Sequence, residues 1–268
     1  MTSMSDPRAS TTTYDAPRRA IAGFALDTLV GRSRSFARDA RQVLDANPHP
    51  RRIEGIEHVP ADGVFIVVMN HYNRPGLRPY HCAMAISAAI AERHPGSPEI
   101  RWAFTSEYRD RGIGPIPIPP ALFRWVFARM ARVYDFVALP RRETLVMSHA
   151  VALHRLVRHL ESAPVGLTPE GLLAADTLVE PPDGAGRLLA LLARNGAPLL
   201  PVAAWEDGTT LVVRFGEPFR PSERQERTPA DLDRRVRDDV MVAIGRLLPR
   251  RYWGAYHDRI VRSGGVQG

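Results

Sequence analysis

Gly63-Val64-Phe65-Ile66-Val67-Val68-Met69-Asn70-His71 is the stretch that decides the reading of this chain. From Val64 to Met69 every side chain is apolar, and the turn-forming Ala61-Asp62-Gly63 precedes them. A compact Val/Ile/Phe run bounded by a turn suits a strand buried on both faces, as in a parallel sheet. Asn70 and His71 follow directly, so such a strand carries an amide and an imidazole to its carboxyl end.

Working outward, the pattern alternates. Pro79 to Ala91 is Ala-rich and reads as helix, Arg101 to Thr105 as strand, Pro119 to Arg132 as helix and Val133 to Leu139 as strand. Glu143 to Leu160 places Val146, Ala150, Leu153, Val157 and Leu160 on one helical face, and Pro164 to Thr168 is a short strand with Glu170 just beyond it. A helix over Gly186 to Arg194 stops at Asn195-Gly196. Ala197 to Trp205 and Thr209 to Phe215 then form a pair joined through Glu206-Asp207-Gly208. The closing helix has Thr228 as N-cap, Pro229 at its first position, and Leu232, Val236, Val240, Ile244 and Leu248 at a spacing of four. This order predicts an α/β fold with a mixed, mostly parallel central sheet flanked by helices. Ligands of such sheets gather at the carboxyl ends of strands, where His71 and Glu170 both lie.

Composition narrows the function. The net charge is +7 with a pI near 10.2, which raises anionic partners. The arginines are scattered and aromatics make up only 7% of residues, so nucleic acid is not expected as a partner. The chain has no lysine, which excludes Schiff-base catalysis, covalent pyridoxal phosphate and a P-loop. Its single cysteine, Cys82, excludes an internal disulfide and a multi-cysteine zinc site, and no metal is expected. No apolar run approaches the roughly 20 residues that span a bilayer as a helix. With no readable export signal, a cytoplasmic location is expected, with peripheral contact on the inner membrane face open to it.

Residues 1–17 are polar and read as a disordered tail. Residues 18–50 are expected to hold one basic amphipathic helix, with Ile21, Phe24, Ala25, Thr28, Phe36 and Val43 on a face rimmed by arginines. That face suits either an anionic membrane surface or docking on the chain's own domain, residues 51–268.

The block from Ile53 to His71 resembles the first motif of the 1-acylglycerol-3-phosphate acyltransferase family, which ends in Asn-His. Val137-Ala138-Leu139-Pro140-Arg141 resembles the second motif, and Gly166-Leu167-Thr168-Pro169-Glu170-Gly171 the third. Pro198 to Ala203, with Phe215-Gly216-Glu217-Pro218-Phe219 after it, is similar to the fourth. The resemblance implies a glycerol-3-phosphate acyltransferase-like fold. It further implies an O-acyltransferase that moves a fatty acyl group from acyl-CoA or acyl-carrier protein, a co-substrate and not a cofactor, to a lipid-like hydroxyl. His71 would be the general base, with Asn70, Arg141, Glu170 and Gly171 binding substrate and backbone N–H groups around Pro169-Glu170-Gly171 meeting the oxyanion.

The chain departs from that pattern at the family aspartate five residues after the histidine, where Gly76 stands, and Gly63 to Ala91 contains no Asp or Glu at all. Asn73, Tyr80 or His81 are the candidates to orient the imidazole instead, and Glu107 or Asp110 the candidates to supply a carboxylate from another loop. Thr105 replaces a frequent lysine, and Leu172-Leu173-Ala174 stands where Thr-Arg-Ser is usual, which fits an acceptor lacking a phosphomonoester. The alternative function is a catalytically impaired relative that binds lipid or a membrane partner.

Overall fold

The computed structural model describes residues 13–47, 49–105, 112–113, 116–117, 120–139, 146–171, 177–194, 196–221, 226 and 228–264. In chain order the elements are α1 (Arg18–Val30), α2 (Phe36–Ala46), β1 (Arg51–Glu54), β2 (Ile66–Met69), α3 (Pro79–Arg93) and β3 (Arg101–Thr105). The two-residue strands β4 (Gly112–Ile113) and β5 (Ile116–Pro117) follow, then α4 (Pro120–Val133), β6 (Val137–Leu139), α5 (Val146–His159) and β7 (Val165–Leu167). The chain continues through α6 (Ala185–Ala193), β8 (Leu199–Asp207), β9 (Thr210–Phe215), α7 (Pro229–Leu247) and α8 (His257–Arg262).

The main sheet has the order β1-β9-β8-β2-β7-β3-β6. β8, β2, β7, β3 and β6 run parallel to one another, while β9 runs antiparallel to β8 and β1 pairs parallel with β9. This is the mixed, mostly parallel α/β sheet expected from the alternation, with α7 packed along β8 and β2 and α4 and α5 along β6. β2 lies at its centre, and Ile66, Val67 and Val68 expose nothing to solvent. Burial of each such side chain stabilises by about 1.5–3 kcal/mol, so the strand that carries His71 is firmly held.

The closing helix starts as its sequence requires. Thr228 Oγ1 accepts from the Asp231 N–H at 3.1 Å, and Pro229 needs no partner at the first helical position. The strand expected over Val133 to Leu139 is shorter. α4 runs on through Val133, Asp135 takes a φ of 55°, and only Val137–Leu139 are extended.

The single helix expected within residues 18–50 is two helices. Gly31, at φ 74°, ends α1, with the Arg32 N–H returning to Asp27, and Ser35 caps α2 by accepting from the Arg38 N–H at 3.0 Å. Arg34 sits in the break and binds Asp27 and Asp39, and Tyr134 donates to Asp39 at 2.6 Å. This network ties both helices to the end of α4. α2 buries Phe36, Ala40, Val43 and Leu44 and packs on α3, whereas α1 leaves Ile21, Leu26, Leu29 and Val30 exposed.

The end of the expected tail is also built into the fold. Tyr14 is buried, and Asp15 exchanges hydrogen bonds with the Asn47 side chain at 2.9 and 2.7 Å. Among the described residues no helix is long and apolar enough to cross a membrane.

Candidate active site

Ile66 pairs with Val165 and Val68 with Leu167, an offset of 99 positions between β2 and β7. The same offset brings His71 opposite Glu170 one turn beyond the strand ends, and there the His71 N–H donates to Glu170 Oε2 at 2.5 Å. The first and third motifs thus meet at the carboxyl edge of the sheet.

Asn70 is buried with its amide against β8. Its Nδ2 donates to the Ala204 carbonyl at 2.9 Å and its Oδ1 accepts from the Ala204 N–H at 2.8 Å. The side chain acts as one more rung of the β2–β8 ladder. It fixes the backbone entering His71.

Glu170 is buried as well, at 2% exposure, and its second oxygen accepts from the Val179 N–H at 3.0 Å. Here too both carboxylate oxygens accept from the backbone, one on each side of the site. Burial raises its pKa to about 7 even though the two N–H donors oppose the shift. Gly171, at φ 72°, follows in a turn in which its own N–H donates to the Thr168 carbonyl at 3.1 Å. That N–H is therefore spent within the turn and is not aimed at an oxyanion. Arg141 lies outside the described residues, as do Glu107, Asp110 and Leu172-Leu173-Ala174.

The His71 ring is desolvated, which lowers its pKa to about 4 and keeps the imidazole neutral across the physiological range. Its Nδ1 is buried and finds no hydrogen-bond partner among the described residues. Three of the proposed substitutes are engaged elsewhere. Asn73 Oδ1 accepts from Arg78 Nη1 at 3.3 Å, and His81 Nδ1 accepts from the Arg78 N–H at 3.0 Å at the start of α3. The Tyr80 ring leans on His81 with centroids 4.1 Å apart. Burial lowers the His81 pKa to about 4.

Gly76 holds the place of the aspartate, at φ 86°. Arg74 and Leu77 exchange backbone hydrogen bonds at 3.0 and 3.1 Å across Pro75-Gly76, with Pro and Gly in the positions a type II turn favours. A turn therefore replaces helix at this point, and α3 begins only at Pro79. Beside it lies a feature that sequence reading missed. The Arg74 guanidinium binds Glu206 through Nε and Nη2, with both side chains largely buried. The readable signal was a carboxylate placed directly after the apolar run Leu199 to Trp205.

Cys82 is fully buried and its thiol is pushed up to about 12, so it is no nucleophile. Among the described residues no three His, Cys, Asp or Glu side chains gather in a way that could hold a metal ion.

No protein-family model matches the chain. No curated protein matches it either. Among solved structures it is similar to the crystal structure of the 1-acyl-sn-glycerophosphate acyltransferase PlsC from Thermotoga maritima, at 15% identity and a TM-score of 0.45, over 92% of this chain and 89% of that one.

Proposed function

We propose that the chain is an O-acyltransferase that moves a fatty acyl group from an acyl thioester to a hydroxyl of a lipid-like acceptor, with His71 as general base. The observation that carries this reading is the hydrogen bond from the His71 backbone to Glu170, which joins two motif ends around a neutral imidazole at the carboxyl edge of the sheet. Nδ1 faces the protein interior, so Nε2 is the ring nitrogen left for substrate. Nε2 takes the proton of the acceptor hydroxyl as its oxygen attacks the thioester carbonyl. The C–S bond then breaks, and the departing thiolate recovers that proton from the imidazolium. The donor is acyl-CoA or acyl-carrier protein, and Arg141 is assigned to the acceptor by resemblance alone.

The work takes place at an anionic membrane surface, on the inner face of the membrane. Supporting this, α1 exposes Ile21, Leu26, Leu29 and Val30 beside exposed Arg18, Arg19 and Arg32, and Trp125 of α4, with Arg129 over its ring, stands next to them.

A second reading, a catalytically impaired relative that binds lipid, is favoured by one observation, the unpartnered Nδ1. Losing the group that steadies a catalytic histidine costs on the order of 10⁴-fold in the serine protease triad. Thioester consumption by the purified chain, with long-chain acyl-CoA and a panel of lysolipids and other hydroxyl acceptors, separates the two. Acceptor-dependent release of free thiol supports the enzyme, and lipid binding without thiol release supports the impaired relative.

A further inference from the structure

The backbone around His71 is pinned on both sides, although its ring Nδ1 has no hydrogen-bond partner among the described residues. On the amino side, Asn70 is bound to β8 and the His71 N–H to Glu170. On the carboxyl side Tyr72 is buried with its ring edge-on to Tyr252, and Arg74 follows as the next residue tied to the sheet. We propose that Arg74, through its ion pair with Glu206, is a positioning residue that holds the His71 loop, and that this pair together with the Tyr14 strap takes over the task that a carboxylate at position 76 would perform.

Four observations support this. The guanidinium engages Glu206 with two of its nitrogens, a fork that fixes direction as well as distance, and Nη1 returns to the Pro75 carbonyl within the turn. Glu206 is itself anchored, because its carbonyl accepts from the Tyr252 hydroxyl at 2.8 Å and from Arg251 Nη2 at 3.4 Å. The turn is also clasped from the far side, where the Tyr14 N–H donates to the Gly76 carbonyl at 3.0 Å. Finally, the Tyr14 ring packs against His81 and His49, with centroids 5.4 and 5.0 Å away, and the His49 ring nitrogen meets the Thr13 carbonyl at 3.0 Å. A buried ion pair is weak grounds for stability, since apolar groups of the same volume often serve as well. What the fork supplies that apolar packing does not is one register for the turn between His71 and α3.

This inference rests on His71 as the reactive group, but its test does not need turnover. The probe is the side-chain nitrogen resonance of His71, followed through an acid titration of the full-length chain and assigned from its loss in His71→Gln. In wild type the ring is expected to titrate at about 4, lowered by its burial. In Arg74→Gln and in Glu206→Gln the freed loop admits water to the ring, and the midpoint moves up by about 1 or more toward the ordinary imidazole value. Tyr14→Ala, which removes the ring packed on His81 while keeping both members of the ion pair, moves it in the same direction and remains readable if the ion-pair variants fail to fold. A His71 midpoint unchanged in the folded variants overturns the proposal. Where wild type turns over, the same variants lower kcat with KM retained. A wild type without turnover defeats the acyl-transfer reading and leaves the titration to decide this one.

Discussion

The backbone N–H of His71 donates to the Glu170 carboxylate at 2.5 Å, and the two residues keep the offset of 99 positions that pairs Ile66 with Val165. The register of two buried strands therefore continues past their ends and sets the geometry of the site. Glu170 works there as a clamp, spanning from His71 on one side to Val179 on the other.

Replacing that clamp has a pH signature. The folded pKa of Glu170, about 7, lies above its ordinary value of 4.5, so the folded chain holds a proton that the unfolded chain has released. Its contribution is fully present below pH 4.5 and is lost as pH rises to 7, on the order of 3 kcal/mol. The half-buried His71 and the buried His81 act in the opposite sense, since their lowered pKa values make stability rise from about pH 4 to 6.5. Glu170→Gln removes only the falling component. Denaturant melts across this window are expected to show the variant gaining stability relative to wild type as pH increases. Parallel curves would contradict the assignment.

Asn70→Ala leaves the N–H and C=O of Ala204 without their partner beneath a fully covered strand. The expected destabilisation is on the order of 3 kcal/mol, from two buried polar groups left unsatisfied. Asn70→Asp retains the acceptor for the Ala204 N–H but sets a carboxylate against the Ala204 carbonyl, and it should be no better. Chemical denaturation measures both.

Gly76→Asp supplies the carboxylate of the motif that the sequence resembles without supplying a helical backbone for it. The backbone there has φ 86°, where a side chain costs about 1 kcal/mol or more, and the residue lies in a turn that Tyr14 clasps. The variant is expected to melt lower than wild type and to gain no turnover. A gain in turnover would show that the loop can adopt the helical path it lacks here.

The sheet and most of its helices were legible because buried strands and capped helices carry strong local signals, as in Val64 to Met69 and in Thr228-Pro229. His71 and Glu170 were legible as residues ending two such strands. Their contacts were not, because a sequence places a carboxylate near a strand end without saying whether it turns toward substrate or toward a backbone N–H. The break at Gly31 was open to reading, since a glycine and an N-cap serine flank it, but the arginine-rimmed apolar residues suggested one continuous face. Tyr14 and the Arg74–Glu206 pair are long-range contacts that no periodicity records.

If α1 contacts lipid, Leu26→Ser with Leu29→Ser should weaken co-sedimentation with anionic vesicles, and added salt should weaken the wild type as it screens the arginines. Both side chains are exposed, so the fold should be unaffected. Equal binding by the variant would remove α1 from the membrane contact.

The central claim is that His71 removes the acceptor's proton, and it is tested most directly by acceptor-dependent thioester consumption in wild type and His71→Ala side by side. The expected result is measurable turnover by wild type and a loss of about 10²-fold or more in the variant, the range of a general base. Turnover that survives His71→Ala unchanged would contradict it.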